Sequence, residues 1–425
     1  MTGGVAERSF DAPSVTSTVA PPPPVTRERL VALDVFRGAT IAGMLLVNNP
    51  GSWGAIYPPL AHAAWHGWTP TDVIFPFFLF IVGVTTHLSL SARRDRGDSD
   101  GALLKQVLKR GALIYLFGLL LNAFPFFDPV PGRAWASIVE RFGISPVSHE
   151  PIVDTIRLLG VLQRIGLVYI CVGLIWLYTS LRAQRWILAT FLLGYWALMT
   201  LVPVPGEGAI GAALLDEPGR DLSAWIDRLV LGVGHIYRGT RTYDPEGLLS
   251  TIPAIGTAML GVFAATWIRC DRPLTERIST LYAGGAIAMV LGLVWNWAFP
   301  INKQLWTSSY VMFTGGMAAV TLATCLWLID FRGSRWWTKP FVIYGVNPMI
   351  AFVGSGMMAR LIYSLWRVPN GEGGYMSVQS WVYRNLYLSW IPEPRAASLA
   401  FAVTFVLLWL GILTILYRRR IFFKV

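Results

Sequence analysis

A chain of 425 residues that is 54% hydrophobic and only 14% charged, with 19 tryptophans and a mean hydropathy of +0.52, is too apolar and too aromatic for an ordinary soluble domain. The formal net charge of +11 does not point to nucleic acid, because the basic residues form small clusters beside apolar segments and never a continuous basic face. The three cysteines, Cys171, Cys270 and Cys325, lack the close spacing of zinc or redox motifs and are expected to pack.

Residues 1–28, which include TSTVAPPPPV, have no apolar core of the kind a cleavable signal needs and read as a disordered, Pro-rich cytoplasmic tail. From residue 29 to 425 the chain reads as one transmembrane domain. Ten apolar segments, at about 30–49, 71–92, 106–126, 157–180, 184–204, 248–269, 278–299, 308–330, 340–365 and 396–417, are long enough to cross a hydrocarbon core of roughly 30 Å. Apolar runs of about twenty residues exclude the short alternating strands of a barrel. The predicted fold is therefore an all-α polytopic bundle with about ten transmembrane helices.

The bias of lysine and arginine sets the orientation. Arg93, Arg94, Arg96, Lys105, Lys109 and Arg110 cluster after the second segment, whereas 50–70 has no basic residue but histidine. Continuing the alternation puts Arg182 and Arg185, then Arg269, Arg272 and Arg277, then Arg332, Arg335 and Lys339, then Arg418, Arg419, Arg420 and Lys424 on the same side. That side is expected to be the cytoplasm, with both termini, in an inner (cytoplasmic) membrane. Loops 50–70, 127–156, 205–247 and 366–395 then face outward and cap the bundle.

Four polar constellations stand out. In DVFRG, Asp34 and Arg37 share a helix face, either as an interfacial ion pair or with Arg37 reading phosphate on a cytosolic donor. The run from Asn48 to Phe78, NNPGSWGAIYPPLAHAAWHGWTPTDVIFPFF, sets His62, His66 and Asp72 between two membrane-length segments, where unpaired polar groups are selected against. Asn48 donates or accepts without changing charge, and His62 is the side-chain type best able to take and return a proton, a pairing suited to acyl or proton transfer. His62 and His66, four apart, fit a metal only with a third ligand such as Asp72; interfacial histidines bonded to loop backbone are the plainer reading. In RLLGVLQRIGLVYI, Gln163 and Arg164 interrupt an apolar helix, so Arg164 faces a partner or cavity or snorkels to the headgroups. The fourth comprises YDPEGLLSTIPAIG and FPINKQLWTSSY, polar helix entries that either line the same cavity as His62 or cap helices through Asp244, Glu246 and Ser308.

The runs RLVALDVFRGATIAGMLLVNN, HAAWHGWTPTDVIFPFFLFIVG, GVLQRIGLVYI, YDPEGLLSTIPAIGTAMLGV, NKQLWTSSY and YGVNP, in that order, resemble the heparan-α-glucosaminide N-acetyltransferase family of membrane acyltransferases over nearly the whole chain after the tail. The resemblance implies transfer of acetyl from cytosolic acetyl-CoA, a co-substrate and not a bound cofactor, to an amino sugar across the membrane. It places the active-site histidine at His62 and a functional asparagine at Asn48. Asp34, Arg37, Trp65, His66, Asp72, Arg164, Asn302 and Lys303 follow as candidate substrate or cofactor-binding positions, with no metal expected. The animal enzymes carry a luminal domain and an extra helix where this chain has its Pro-rich tail, and His66 stands where the motif commonly has Asn. These departures resemble the prokaryotic branch, for which a bacterial envelope amino sugar or glycan fragment is the expected acceptor. The lipid bilayer is a partner, nucleic acid is not, and a homodimer is one assembly open to it. His62 acts either as general base in direct transfer, the preferred reading, or as an acylated nucleophile. A proton-coupled secondary transporter for sugars or muropeptides, with His62 as relay, is the alternative, and a membrane scaffold without a small-molecule site a third.

Overall fold

In apolar surroundings the backbone must satisfy its own hydrogen bonds, and every one of the predicted segments is helical in the computed structural model, which describes residues 30–125, 156–371 and 373–423. The helices are α1 (Val31–Asn48), α2 (Ile74–Arg94), α3 (Asp100–Ala123), α4 (Val161–Tyr178), α5 (Leu181–Leu201), α6 (Leu222–Val230), α7 (Thr251–Ile268) and α8 (Leu274–Trp295). They continue with α9 (Ser308–Cys325), extended by a π-helical turn to Phe331, then α10 (Lys339–Val346), α11 (Ser355–Arg360), α12 (Val378–Val382) and α13 (Pro394–Arg418). A two-stranded antiparallel hairpin, β1 (Arg367–Pro369) with β2 (Tyr375–Ser377), interrupts the helical pattern.

Among the described residues, seven helices are long and apolar enough to cross a membrane. An eighth span is formed if α10 and the helical stretch Ile350–Leu365 count as one crossing, bent by 85° at Asn347 and Pro348. Helices α3 and α5, 24 and 21 residues long, fall short in apolarity because residues such as Lys109, Arg110, Gln184 and Arg185 lie within them. The expected crossings at 106–126 and 184–204 are thus helices of membrane length without the matching hydropathy. The chain is a multi-pass membrane protein.

Lipid gives helices no hydrophobic reason to associate, so close packing of small residues has to do it. Four helix pairs meet through reciprocal glycines. A Cβ on Gly83 of α2 would lie 1.8 Å from the Ala258 carbonyl oxygen of α7, and one on Gly261 of α7 would lie 2.0 Å from the Phe80 oxygen of α2. Gly38 and Gly345 join α1 to α10 in the same way, Gly111 and Gly166 join α3 to α4, and Gly285 and Gly316 join α8 to α9.

The helix ends carrying the basic clusters gather at one end of the bundle. There Arg269 pairs with Asp95 at 2.9 Å, tying α7 to the end of α2, and the Arg94 guanidinium lies 4.5 Å from the Trp176 ring of α4. Asn48 and the connections 49–73, 202–250, 296–307 and 366–393 lie at the other end. Of the expected caps, 205–247 folds over that end, with Val204, Leu214, Leu215 and Leu222 packed on Tyr195, Met199, Phe299 and Leu305. The 366–395 segment holds the 50–70 loop, since the Gln379 side chain donates to the Gly51 carbonyl. The tail 1–28 and the 127–156 loop, apart from Ile156, lie outside the described residues.

The glycine contacts make a direct prediction. Gly83→Ala forces α2 and α7 apart and should destabilise the protein by about 1–3 kcal/mol, as overpacking does. Gly194→Ala, where nothing lies within 4 Å of the added Cβ, should be neutral or slightly stabilising; thermal unfolding of both variants in detergent checks the contrast.

Candidate functional site

The loop after α1 is pinned before it reaches His62. Gly51 and Ser52 donate backbone N–H groups to the Ser398 carbonyl (3.1 Å) and Ser398 Oγ (3.0 Å) of α13, and the Tyr363 hydroxyl donates to the Pro50 carbonyl at 2.7 Å. Further on, Asp72 caps the short 3₁₀ turn Pro70–Val73: its Oδ2 accepts the N–H groups of Thr69 and Ala63, both at 3.0 Å. Its other oxygen, Oδ1, lies 2.6 Å from Nδ1 of His62. One carboxylate that is 1% exposed therefore closes the loop and orients the ring. With Nδ1–H donating to Asp72, Nε2 is left as the acceptor. The His62 side chain is 42% exposed.

Lys303 reaches the same ring from the α8–α9 connection. Its Nζ lies 3.0 and 3.1 Å from His62 Nδ1 and Nε2 and 3.6 Å from Asp72 Oδ1. The connection holds Lys303 in place through buried Asn302, whose Oδ1 accepts the Leu305 N–H (2.9 Å) and whose own N–H donates to Thr307 Oγ1 (3.1 Å). Burial lowers the Lys303 pKa, against the raising effect of Asp72 and Glu246.

The facing wall is built of charges that satisfy one another. Arg157 donates from Nε to Asp244 Oδ2 at 2.9 Å and from Nη2 to both Asp244 and Glu246, while its guanidinium stacks 4.8 Å from the Tyr237 ring. Burial alone would raise Glu246, but Arg157, Arg164 and Lys303 outweigh it and leave its pKa lowered. The Arg157 pKa is raised: burial opposes its charge, yet Glu246 and Asp244 overcome that cost. Arg164, fully buried, donates from Nη2 to the Gly247 carbonyl (3.1 Å) and to Ser250 Oγ, and lies 5.2 Å from the Trp306 ring.

Between these walls is a cavity of about 230 Å³ whose polar lining includes Asn48, His62, Arg157, Tyr237, Glu246 and Lys303, with Met44, Phe75 and Phe352 among its apolar lining. Of the residues singled out from sequence, Asn48, His62, Glu246 and Lys303 meet on this cavity and Asp72 stands directly behind His62. Arg164 braces the Glu246 segment. Trp65, His66 and Asn302 hold the loops together: Trp65 donates to the Leu215 carbonyl (2.7 Å), His66 Nε2 meets Asp216 Oδ1 (2.8 Å), and His66 Nδ1 faces the Asn302 amide at 3.3 Å. His66 thus turns to Asp216 and Asn302, away from a shared metal with His62. Arg37 and Asp34 are not part of the cavity. They pair at 2.7 Å, Arg37 also donates to the Gly345 carbonyl, and Arg37 and Asp34 lie about 16 and about 21 Å from Asn48 along α1 at roughly 1.5 Å per residue.

Sequence reasoning passed over Arg157, Tyr237 and Phe352. Arg157 was visible as a second arginine seven residues before Arg164, on the same helical face had the helix begun earlier. Tyr237 and Phe352 had no signal beyond being aromatic.

A family profile described as "Heparan-alpha-glucosaminide N-acetyltransferase, catalytic" matches residues 29–293, a span that contains His62, Asn48, Arg157 and Glu246. The chain is similar to human heparan-alpha-glucosaminide N-acetyltransferase, 28% identical over 444 residues, and to the mouse protein of that name, 27% identical over 442 residues. Each alignment covers 93% of this chain and 60% of the relative, so the chain spans well under two thirds of their length.

Removing one partner from a buried charge cluster leaves the others uncompensated. Arg157→Ala is expected to cost about 3 kcal/mol or more of stability at neutral pH, and the deficit should shrink in acid as Glu246 takes up a proton. In the wild type the sign is opposite. Because the folded Glu246 pKa is lowered, its contribution is intact above the ordinary value of about 4.3 and is lost as pH falls through the folded value. Melting curves of both proteins across the acid range read the difference.

Proposed function

The chain belongs to the heparan-alpha-glucosaminide N-acetyltransferase family, and from that premise we propose that it moves an acetyl group from cytosolic acetyl-CoA to an amino sugar or glycan fragment on the other face of the membrane. The observation that carries this reading is His62, held at Nδ1 by Asp72 on a cavity that also receives Asn48 and Lys303, with the Lys303 Nζ 3.1 Å from its Nε2. The relatives are named for heparan α-glucosaminide. For this chain the proposed acceptor is the broader class, with a bacterial envelope amino sugar as its first candidate and the inner membrane as its place.

The proposed step is direct transfer. The acceptor's amine or hydroxyl attacks the thioester carbonyl, His62 Nε2 takes the proton released, the C–S bond breaks, and the proton passes to the departing thiolate. Asp72 keeps the ring in the tautomer that leaves Nε2 able to accept. Asn48 donates a hydrogen bond to the oxyanion, and the Lys303 ammonium stabilises the same developing charge. An acyl-His62 intermediate with ping-pong kinetics is the competing route. Arg37, at the opposite end of α1, is proposed to meet a phosphate of the donor.

His62→Ala should lower acetyl transfer at least ~10²-fold while the protein stays folded. Asp72→Asn should also lose activity through tautomer and loop geometry. His66→Asn should retain most activity, and Arg37→Ala should raise KM for acetyl-CoA with little change in kcat. Labelled acetyl-CoA with a panel of amino sugars is the assay; a folded His62→Ala enzyme with normal turnover would remove this histidine from the chemistry, and movement of sugar without acylation would favour a transporter. Cysteine labelling should find positions 94, 272 and 335 accessible from the cytoplasm and 206 and 371 from outside; labelling of 94 from outside would reverse the proposed direction of transfer.

A further inference from the structure

A buried carboxylate that the proposed chemistry does not use lies behind the cavity wall. Asp227, on the cap helix α6, is completely buried. Its Oδ1 accepts the Leu248 N–H at 2.8 Å, and its Oδ2 is pressed so closely against Gly247 that a Cβ there would lie 2.0 Å away. Gly247 and Leu248 directly follow Glu246, which lines the cavity, and the Gly247 carbonyl receives Arg164. Asp227 is therefore the point at which the cap grips the wall segment. Oδ2 of Asp227 and Nε and Nη1 of Arg164 are buried and find no hydrogen-bond partner among the described residues, so this grip is not part of a closed ion-pair network like that of Arg157.

We propose that Asp227 is a positioning residue: it fixes Gly247 and Leu248 in the path that sets Glu246 on the cavity and the Gly247 carbonyl on Arg164, and its charge state governs how firmly cap and wall hold together. The titratable groups around it are Asp221 and Arg228 of its own helix segment, Asp244 and Glu246 on the wall, Arg164 on α4 and Tyr195 on α5. Arg228 is turned aside, donating to the carbonyls of Gly219 (2.6 Å) and Thr242 (2.5 Å). Burial pushes Asp227 up to about 7, with Asp244 and Asp221 adding to it and the Leu248 N–H and Arg164 opposing it. The folded state thus binds a proton that the unfolded chain has already released. Stability falls as the pH rises from the ordinary value of about 3.9 to about 7, and stays at the lower level above it.

The activity arm of the test rests on the acetyl-transfer reading; the stability arm does not. The full chain in detergent, as wild type, Asp227→Asn and Asp227→Ala, is melted between about pH 5 and pH 9 and assayed for acetyl transfer. Asp227→Asn keeps the acceptor for Leu248 without the charge, so it should melt above the wild type at neutral and alkaline pH and lack the wild type's decline toward about pH 7. Asp227→Ala should lose about tenfold or more in kcat, as small misplacements of a wall do, with Asp227→Asn recovering most of it and moving the alkaline limb of the pH profile upward. Gly247→Ala should be severely destabilising alone and much less so in the Asp227→Ala background. An Asp227→Asn protein with the wild type's pH dependence of melting, or an Asp227→Ala enzyme with unchanged kcat, overturns the proposal. If Asp227→Ala does not fold, the Asp227→Asn melting profile decides; if the wild type acetylates no acceptor, the acetyl-transfer reading fails while the melting result still decides the role of Asp227.

Discussion

Three cations and three carboxylates, Arg157, Arg164 and Lys303 against Asp72, Asp244 and Glu246, are taken largely out of water at one end of an apolar bundle, and the arrangement around the cavity depends on that balance. A lone ion there would carry a desolvation cost of several kcal/mol. Arg157 meets both Asp244 and Glu246, and Lys303 stands 3.6 Å from Asp72. Because these charges come from four separate parts of the chain, the segments carrying them must be ordered relative to one another. This accounts for the density of side chain to backbone bonds in the loops, from Gln379 on Gly51 to Asn302 on Leu305. Loops of this kind are not slack connections; they are the framework that keeps the charges paired.

The helices supply what the loops cannot, a rigid base close enough for the loops to converge. Reciprocal glycines bring α2 against α7 and α1 against α10, so that the His62 loop, the Glu246 segment and the end of α1 open onto one space. The bent span contributes as well: the chain breaks at Asn347, whose amide donates to the Ile421 carbonyl and whose Oδ1 accepts the Phe423 N–H, both at 3.0 Å. The side chain at the break thus ties down the chain's own C-terminal stretch, while the Asn347 backbone carbonyl accepts from the Ala351 N–H at 3.0 Å. Beyond it, Phe352 reaches the cavity from a π-helical turn, a feature often found beside functional sites.

Much of this was legible in the sequence, for identifiable reasons. The membrane-length helices follow from long apolar runs, and His62, His66 and Asp72 were conspicuous because they are costly groups beside membrane segments, while Lys303 lay in the polar helix entry FPINKQLWTSSY. Other features were not legible. The bend at Asn347 and Pro348 goes with tertiary contacts, the Asn347 side chain bonding Ile421 and Phe423 some seventy positions later. Arg37 looked like a site residue on local chemistry, yet helix geometry puts it at the far end from Asn48. Asp227 gave no signal, since an aspartate in a mixed-charge loop normally faces water, and only the fold of the cap buries it.

His66 shows how a departure from a motif can be read once its neighbours are known. The family resemblance suggests Asn at this position, and a histidine four residues from His62 invites a catalytic or metal-binding role. In the fold both ring nitrogens are engaged: Nε2 with Asp216 on the cap and Nδ1 with the Asn302 amide. Asn302 in turn shapes the turn that presents Lys303 to His62. With Nδ1 accepting from the amide, the neutral ring carries its proton on Nε2 and donates it to the Asp216 carboxylate. An asparagine, with one acceptor and one donor group on a shorter side chain, offers the same pair of functions over a shorter reach. The larger ring therefore serves to join the cap, the His62 loop and the Lys303 turn, and the sequence difference belongs to the scaffold that holds the cavity rather than to the group that does the chemistry.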